Sequence, residues 1–410
     1  MTTAGPKQDR WAAWFGGWLV VVLALTPLLA WAGPLGFAAL AGVAGALCLP
    51  ALNVTDEDRP AYVAVLFLLI WAAGSTLWSP HHHGLWGSPA VKLTAEAGFY
   101  FALVCAAGRA DAGGRTLALR VLAWGMPLLG IVLLAEALTG AQGYQALRTL
   151  IGDPERADLA RKNVAQGLFV LALLWPVAAV AAVRVGAGVW LVAPMIAALA
   201  GGSFLFGYDA PVLALVTSIV AGGAVWAWPR VAPRGLAVLV AAYFLAMPGL
   251  VLILKTTGQL QVLKAEAPLS WSQRLGYWEK TVDWMADHPL RGWGLEASRM
   301  FSPGIQLHPH NSALQIWLEL GLIGAVAAAV FWAALFARLG AGERDPARAA
   351  AAATAAAYVV FGAVSFGVWQ EWWLALGGIA AACGVALVRQ PAPETTAGLR
   401  KSSTFAAISE

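Results

Sequence analysis

Charged residues and cysteines are scarce in this sequence. Asp, Glu, Lys and Arg make up 12% of the 410 residues, whereas 60% are hydrophobic and the mean hydropathy is +0.69. So little charge argues against a water-soluble globular chain and indicates one that buries its surface in lipid. The three cysteines, Cys48, Cys105 and Cys383, lie in apolar segments without CxxC spacing. We therefore expect small core residues rather than a disulfide framework or a redox site.

Long apolar runs take up most of the chain. They approach or exceed the roughly 17–25 residues with which an α-helix crosses a bilayer. The sequence therefore predicts an all-α polytopic membrane protein with about twelve transmembrane helices. The expected spans are residues 14–31, 34–51, 62–78, 92–107, 117–138, 163–183, 189–206, 211–228, 236–254, 311–338, 347–368 and 371–388.

Basic residues between the spans predict the orientation. If the helices alternate, Lys and Arg lie mainly on the side of the N-terminus, which places both termini in the cytoplasm. The first span lacks an Ala-x-Ala-like cleavage site, so we expect it to be retained. Residues 1–390 should form one transmembrane domain, with a large outer loop at 255–309 between the ninth and tenth spans. Residues 391–410, rich in Pro, Thr, Ser and Ala, should form a disordered cytoplasmic tail.

The outer loop should contain an interfacial helix. Ser270 and Gln273 fit a capping box, which predicts a helix that begins at Ser270 and continues to about Asp287. Apolar residues recur at helical spacing through this segment, so one face should lie along the membrane surface. Arg274 and Tyr277 share another side. Because a cation in the first turn opposes the helix dipole, Arg274 is mildly unfavourable unless an anion compensates, and a solvated Arg is the alternative.

Two histidines end the loop, in the run His308-Pro309-His310-Asn311. An imidazole titrates near neutral pH, so a base at the membrane interface is one interpretation. A polar cap is the other, because Asn311 can cap the following helix. Beyond this run, Gln315 and Glu319 continue the face of Asn311 at intervals of four residues. We expect Glu319 to pack against other helices rather than to line an outward cavity. Gly321 and Gly324 should be small contact residues for a neighbouring helix.

These residues resemble the signature region of the bacterial O-antigen ligase and O-antigen polymerase superfamily. The twelve spans and the large loop before the tenth, which would be periplasmic, are similar to the architecture of that family. The resemblance rests on Arg274, Trp278, the run from Asp287 through His288, Pro289, Leu290, Arg291, Gly292, Trp293, Gly294 to Leu295, and then His308, Pro309, His310, Asn311, Leu314, Gln315, Glu319, Gly321 and Gly324.

The resemblance implies specific roles. His310, the His before Asn, would be the base that activates an acceptor hydroxyl, and Arg274 would bind the diphosphate of a polyprenyl-linked glycan. Asn311 and Trp278 would contribute to substrate binding. Arg161-Lys162-Asn163 is similar to the second basic site of the family, and Arg156 is the alternative to Arg161 there. That second match is looser, because the Gly-rich approach and the Pro-Asn pairing of the family are absent. A third family Arg, expected around Gly207-Tyr208-Asp209-Ala210, is missing as well, and no role can be assigned to Arg291.

The chemistry that these roles imply is glycan transfer from a polyprenyl-diphosphate donor. Guanidinium groups match a diphosphate leaving group, so no metal or other cofactor is expected. A single displacement would invert the anomeric centre. Attachment to a lipid A core sugar at the periplasmic face of the bacterial inner membrane is the preferred reaction. Polymerisation of O-antigen or exopolysaccharide repeat units, transfer to protein hydroxyls and, from another class, small-anion transport remain alternatives. Membrane lipids are the other expected partners, and the scattered basic residues argue against nucleic acid.

Overall fold

Helices account for nearly all of the regular structure in this computed structural model, which describes residues 10–81, 84 and 87–391. Within those residues no β-strand occurs, so the all-α class is confirmed. The predicted tail from residue 392 onward lies outside the described residues. The helices are α1 Ala12–Ala32, α2 Gly36–Leu47, α3 Arg59–Ser75, α4 Pro89–Arg109, α5 Ala112–Thr139, α6 Gln142–Leu150, α7 Ala157–Arg184, α8 Val192–Ala197, α9 Ser203–Phe206, α10 Ala210–Ala227, α11 Ala232–Thr256, α12 Gln259–Glu266, α13 Leu269–Met285, α14 Ser312–Arg338, α15 Pro346–Val364 and α16 Glu371–Arg389.

The chain is a multi-pass membrane protein. In the described part of the chain, 10 helices are long and apolar enough to cross a membrane, counting Val189–Phe206 as one helix that includes α8 and α9. Two shorter apolar helices, α2 and α3, occupy the remaining positions at which spans were predicted. A helix therefore lies at every expected position, but ten rather than twelve are long enough to span, because α2 has 12 residues and α3 has 17.

Close helix packing depends on small residues, as is usual where lipid surrounds the bundle. A Cβ atom added to Gly45 of α2 would lie 2.1 Å from the carbonyl oxygen of Phe99 in α4. One added to Gly114 of α5 would lie 2.6 Å from the Cα atom of Gly16 in α1. Both glycines thus permit backbone contact between helices that any side chain would prevent.

The connections between helices gather at two ends of the bundle. Residues 140–156, 207–209, 257–311 and 365–370 lie at one end, which we call the site end. At the opposite end, Arg338 pairs with Glu57 and Asp58, and Arg184 with Asp345. These ion pairs join segments that are distant in the sequence, so the opposite end is held by charge as well as by apolar packing.

Helix α13 fills the large loop, but it begins differently from the prediction. It starts at Leu269, after Pro268, and no side chain caps it, so the expected capping box at Ser270 is wrong. Its apolar face forms one buried cluster with Val251 of α11 and Leu314 of α14. The expectation that this face lies along the membrane surface is therefore also wrong, because protein covers it.

Helix α14 is broken at Gly321, where the backbone is not helical (φ 66°, ψ −164°). The loop before it inserts its own backbone at the break. The amide of Trp293 donates to the carbonyl of Leu318 at 2.8 Å, and that of Gly294 donates to the carbonyl of Glu319 at 2.7 Å. A Cβ on Gly321 would lie 2.3 Å from the carbonyl oxygen of Leu290. Gly321 thus contacts a loop rather than a neighbouring helix, which corrects the prediction.

Gly324 also differs from the prediction. A Cβ there would meet the side chain of Leu320, one turn earlier in α14 itself, at 2.3 Å. The break at Gly321 brings these two turns close together, and a glycine accommodates the approach. Its role is therefore internal to the helix.

Candidate active site

A tight turn carries the two histidines into α14. Leu307 and His310 both adopt the left-handed region, with φ 64° and φ 56°. Non-glycine residues rarely occupy it, and such strain is most often retained at functional sites. Asn311 ends the turn as the predicted cap, because its Oδ1 accepts a hydrogen bond from the amide of Leu314 at 3.0 Å.

Hydrogen bonds between His308 and His310 fix the tautomer of each ring. The Nδ1 atom of His310 lies 2.9 Å from the carbonyl oxygen of His308, which can only accept, so this nitrogen carries the proton. The Nδ1 atom of His308 accepts from the backbone amide of His310 at 3.1 Å, so the proton of that ring is on Nε2. The free lone pair of His310 is therefore on Nε2, the arrangement that a general base needs.

The surroundings keep both rings neutral. Burial lowers the pKa of His308 to about 3, with His310 and Arg299 adding to the effect. Burial also lowers the pKa of His310; the hydrogen bond to the His308 carbonyl opposes this decrease, and the positive charge of Arg274 adds to it. A lowered pKa means that His310 holds no proton on Nε2 at neutral pH and can accept one.

One side of α13 faces the turn. Tyr277 stacks on the ring of His310, with centroids 5.9 Å apart, and Trp278 donates from Nε1 to the carbonyl of Pro309 at 3.1 Å. Arg274, one turn earlier, lies over the ring of Trp271 at 5.0 Å. Burial lowers the pKa of Arg274, and the carboxylate of Asp209 opposes this effect. The guanidinium is thus partly withdrawn from water and lies near both His310 and Asp209.

The second basic site lies at the start of α7. Arg161 donates from Nη2 to the carbonyl of Leu205 at 3.1 Å, and it lines an open cavity of about 400 Å³. Ala157, Asp158, Lys162, Phe206 and Tyr208 complete the lining. Asp209 follows Tyr208 directly, and its carboxylate acts to raise the pKa of Arg274. Arg156 differs, because both of its hydrogen bonds, at 3.0 Å, go to the carboxylate of Asp158.

Asn311 and Trp278, predicted to bind substrate, make their hydrogen bonds inside the protein. Asn311 is 1% exposed, and its Oδ1 also accepts from the hydroxyl of Tyr243 at 3.1 Å. Trp278 binds the turn itself through Pro309. The structure therefore gives both residues a positioning role, and their contact with substrate stays a prediction.

Glu319 is fully buried in α14, which confirms that it packs inside the protein. Its carboxyl accepts hydrogen bonds from Nε2 of Gln315 at 3.1 Å, from the backbone amide of Glu296 at 3.0 Å and from the indole of Trp369. These donors come from three different segments. Glu319 therefore joins the broken helix to the inserted loop and to residues 365–370.

Sequence analysis did not identify Tyr243 and Gln370, and it assigned Tyr277 only to the same side of the helix as Arg274. Tyr243, Tyr277 and Gln370 all contact it or its cap, yet Tyr243 and Gln370 lie more than fifty positions from His310 in the sequence. Arg291, which had no assigned role, lies over the ring of Trp78 at 5.7 Å. No short motif connects such residues, so only the fold reveals them.

One region of the chain resembles known proteins. Residues 194–329 match the family model described as O-Antigen ligase, a region that includes Arg274, His310 and Glu319 but not Arg161. Proteins named "Putative polysaccharide ligase" from Rickettsia conorii and Rickettsia bellii are 29% and 33% identical over 122 and 124 residues. Each alignment covers 26% of this chain, and 30% and 29% of the respective relative. The chain thus spans less than a third of the curated relatives it matches, and over that region the resemblance to the O-antigen ligase superfamily is confirmed.

Proposed function

We propose that this protein is a glycosyltransferase that moves a polyprenyl-diphosphate-linked glycan onto an acceptor hydroxyl. The preferred reaction is ligation of O-antigen to a lipid A core sugar. The match to the O-antigen ligase family supports the transfer of polysaccharide, and the arrangement around His310 supports the chemistry. The observation that carries the proposal is the neutral His310, with its Nε2 lone pair free, close to the half-buried guanidinium of Arg274.

The reaction is a single displacement. Nε2 of His310 takes the proton of the acceptor hydroxyl while the oxygen attacks the anomeric carbon of the donor sugar. The bond from that carbon to the diphosphate breaks, and its electron pair leaves with the diphosphate. Attack from the opposite side inverts the anomeric centre. A positioned base contributes roughly 10²–10⁴-fold to such a step.

Guanidinium groups stabilise the leaving group in this mechanism. A planar guanidinium donates two parallel hydrogen bonds to phosphate oxygens, and its charge acts strongly where water is excluded. Arg274 is the first ligand. Arg161 is the second in preference to Arg156, because Arg161 lines the cavity beside Tyr208 whereas Arg156 is paired with Asp158.

The same geometry favours transfer over transport of a small anion. A transporter binds its substrate near the middle of the membrane, at interrupted helices. Helix α14 is interrupted, but its break is filled by the backbone of residues 289–294. Arg274, His310 and Arg161 instead lie together at the site end, where a lipid-linked donor would present its diphosphate.

Location follows from the charge of the two ends. If the helices alternate, Lys and Arg lie mainly at the opposite end, where Arg184, Arg338 and Arg348 form ion pairs, and segments rich in basic residues stay in the cytoplasm. We therefore place both termini in the cytoplasm of a bacterial inner membrane and the site end in the periplasm. Membrane lipids, the lipid-linked donor and a glycan acceptor are the partners of this arrangement.

A reconstituted transfer assay tests the proposal. The purified protein in nanodiscs is incubated with a polyprenyl-diphosphate glycan and lipid A core. A parallel reaction contains the glycan donor but no lipid A core. Transfer to the core, with inversion seen by NMR of the product, is expected for the wild type and should be lost in His310→Ala. Chain growth without core would instead identify a polymerase. His288→Ala, which removes an imidazole that packs on Trp293, is the matched control. Full turnover by His310→Ala would remove the proposed base.

A further inference from the structure

The segment between α15 and α16, residues 365–370, lies across the histidine turn, and we call it the strap. A Cβ atom on Gly367 would lie 2.9 Å from Cδ2 of His308, so the backbone of the strap packs directly against the imidazole ring. The amide of Val368 donates to Oε1 of Gln315 at 2.9 Å, and Trp369 donates to Glu319. Just after the strap, Glu371 pairs with Lys92 of α4. The strap is therefore held at several points while it covers His308.

Gln370 is the strap residue whose side chain faces the ring of His308. Its Nε2 atom lies 3.5 Å from Nε2 of His308, and its Oε1 atom is buried without a hydrogen-bond partner. Since Nε2 of His308 carries the proton, it needs an acceptor opposite. A half-turn of the Gln370 amide exchanges two groups of nearly identical shape, and it places Oε1 there. That orientation satisfies both the imidazole proton and the orphaned oxygen.

We infer that Gln370 is a positioning residue for glycan transfer, which holds His308 as the Nε2–H tautomer and through it fixes the orientation of His310. The inference rests on the proposed role of His310 as base. The connection runs from Gln370 to His308, and from there to His310 through the two hydrogen bonds inside the turn. Glu319 and Gln315 act one step further away, because they hold the strap in place.

The tautomer matters because His308 supports His310 in only one protonation state. Nδ1 of His308 must keep its lone pair to accept the backbone amide of His310. If the proton moved to Nδ1, that hydrogen bond would be lost and the left-handed turn at His310 would lose a support. An acceptor at Nε2 keeps the proton there. Gln370 thus acts on the base without touching the reacting atoms.

Two substitutions of Gln370 test this role in the transfer assay. Gln370→Leu keeps the approximate volume but removes the acceptor, so kcat should fall about tenfold at every pH, with the KM for donor unchanged, as expected for one lost hydrogen bond. The matched control is Gln390→Leu, at the other end of α16, where the amide donates to Thr116. Its kcat should equal that of the wild type.

Gln370→Glu separates positioning from simple packing. The titratable or charged groups near His308 are His310 of the turn and Arg299 of the preceding segment, and the strap contributes none besides residue 370 in this variant. A carboxylate opposite Nε2 favours protonated His308, which then cannot accept the amide of His310. The acid limb of the pH–rate profile, where transfer is lost as the pH falls, should therefore lie at a higher pH in Gln370→Glu than in the wild type. Above that limb the carboxylate accepts from the neutral ring, and kcat should recover to near the wild-type value.

A readout independent of activity is the tautomer itself. With ¹⁵N-labelled histidine, the His308 ring should show the Nε2–H form in the wild type and a mixture in Gln370→Leu. Wild-type kcat, pH profile and tautomer in both Gln370 variants, with His310→Ala inactive, would overturn this inference alone. An active His310→Ala would instead overturn the proposed function, and this inference with it.

Discussion

Nε1 of Trp278 donates a hydrogen bond to the carbonyl oxygen of Pro309 at 3.1 Å. This hydrogen bond, together with the stacking of Tyr277 on His310, joins α13, which carries Arg274, to the turn that carries His310. The distance between the proposed diphosphate ligand and the proposed base therefore depends on it. Phe at position 278 would keep the aromatic packing and remove only the donor.

Trp278→Phe should lower transfer about five- to tenfold, because one buried hydrogen bond contributes about 1 kcal/mol. The loss should appear in kcat, since neither reacting group is removed. Steady-state kinetics in nanodiscs measures it. Trp226→Phe, at the opposite end of the bundle, is the comparison variant, and equal kinetics for the two would show that the bond does not set the geometry.

The transfer rate should depend on the planar geometry of the Arg274 guanidinium as well as on its positive charge. Lys keeps the charge but loses the bidentate match to phosphate, so Arg274→Lys should lower transfer about ten- to a hundredfold. Arg274→Ala should be at least as severe. Arg234→Lys, outside the site end, should have no effect. Normal rates in both Arg274 variants would exclude this residue from the site.

One pair of variants tests whether Arg161 or Arg156 is the second ligand of the donor diphosphate. Arg161 lines the cavity, whereas Arg156 is engaged by Asp158. Arg161→Lys should therefore weaken donor binding and transfer by about tenfold, and Arg156→Lys should change them much less. Donor binding to the purified variants measures the difference. The reverse ranking would assign the role to Arg156.

The pH dependence of the transfer rate should reflect the positive charge of Arg274, because that charge acts on the pKa of His310. Transfer requires neutral His310, so the rate falls as the pH falls through the pKa of that ring. Burial and the positive charge of Arg274 lower this pKa, so transfer should persist below the ordinary titration range of His. Removal of the charge in Arg274→Gln should raise the pKa, so the acid limb should move to higher pH. An unchanged limb would mean that Arg274 does not act on the base.

Gly321 should be intolerant of any side chain. Its φ is 66°, and a Cβ would meet the backbone of Leu290 at 2.3 Å. A side chain at a positive φ costs about 1 kcal/mol on its own. Because the Cβ would also clash, Gly321→Ala should lower the free energy of unfolding by more than that. Gly223→Ala, in a helix with open space around it, should be neutral or stabilising. Thermal unfolding of both variants in the same detergent gives the comparison, and equal melting temperatures would contradict the broken helix.

Much of the fold could be predicted because lipid imposes a simple rule on the sequence. Apolar runs long enough to span were visible without any tertiary information, and the observed helices lie where they were expected. The break at Gly321 was not predicted, because its cause is a loop backbone from elsewhere in the chain, which no local pattern indicates. The start of α13 was also missed, since Pro268 can open a helix without a side-chain cap.

The site was predictable only where a motif carried it. Arg274 and His310 were found through their family pattern, and in the structure α13, which carries Arg274, packs on the turn that carries His310. Gln370 lies 62 positions from His308, and its amide has no pattern of its own in the sequence. Such partners are selected by the fold, so they become visible only when the helices are assembled.

Glu319 also has a consequence for biosynthesis. Its donors lie at Glu296, at Gln315 and at Trp369, the last of which is made after α15. A growing chain therefore inserts α14 with a carboxyl group that lacks one of its partners. The strap supplies that partner and the residue that faces His308, so the proposed site would become complete only after residues 365–370 have been made and have packed against α14.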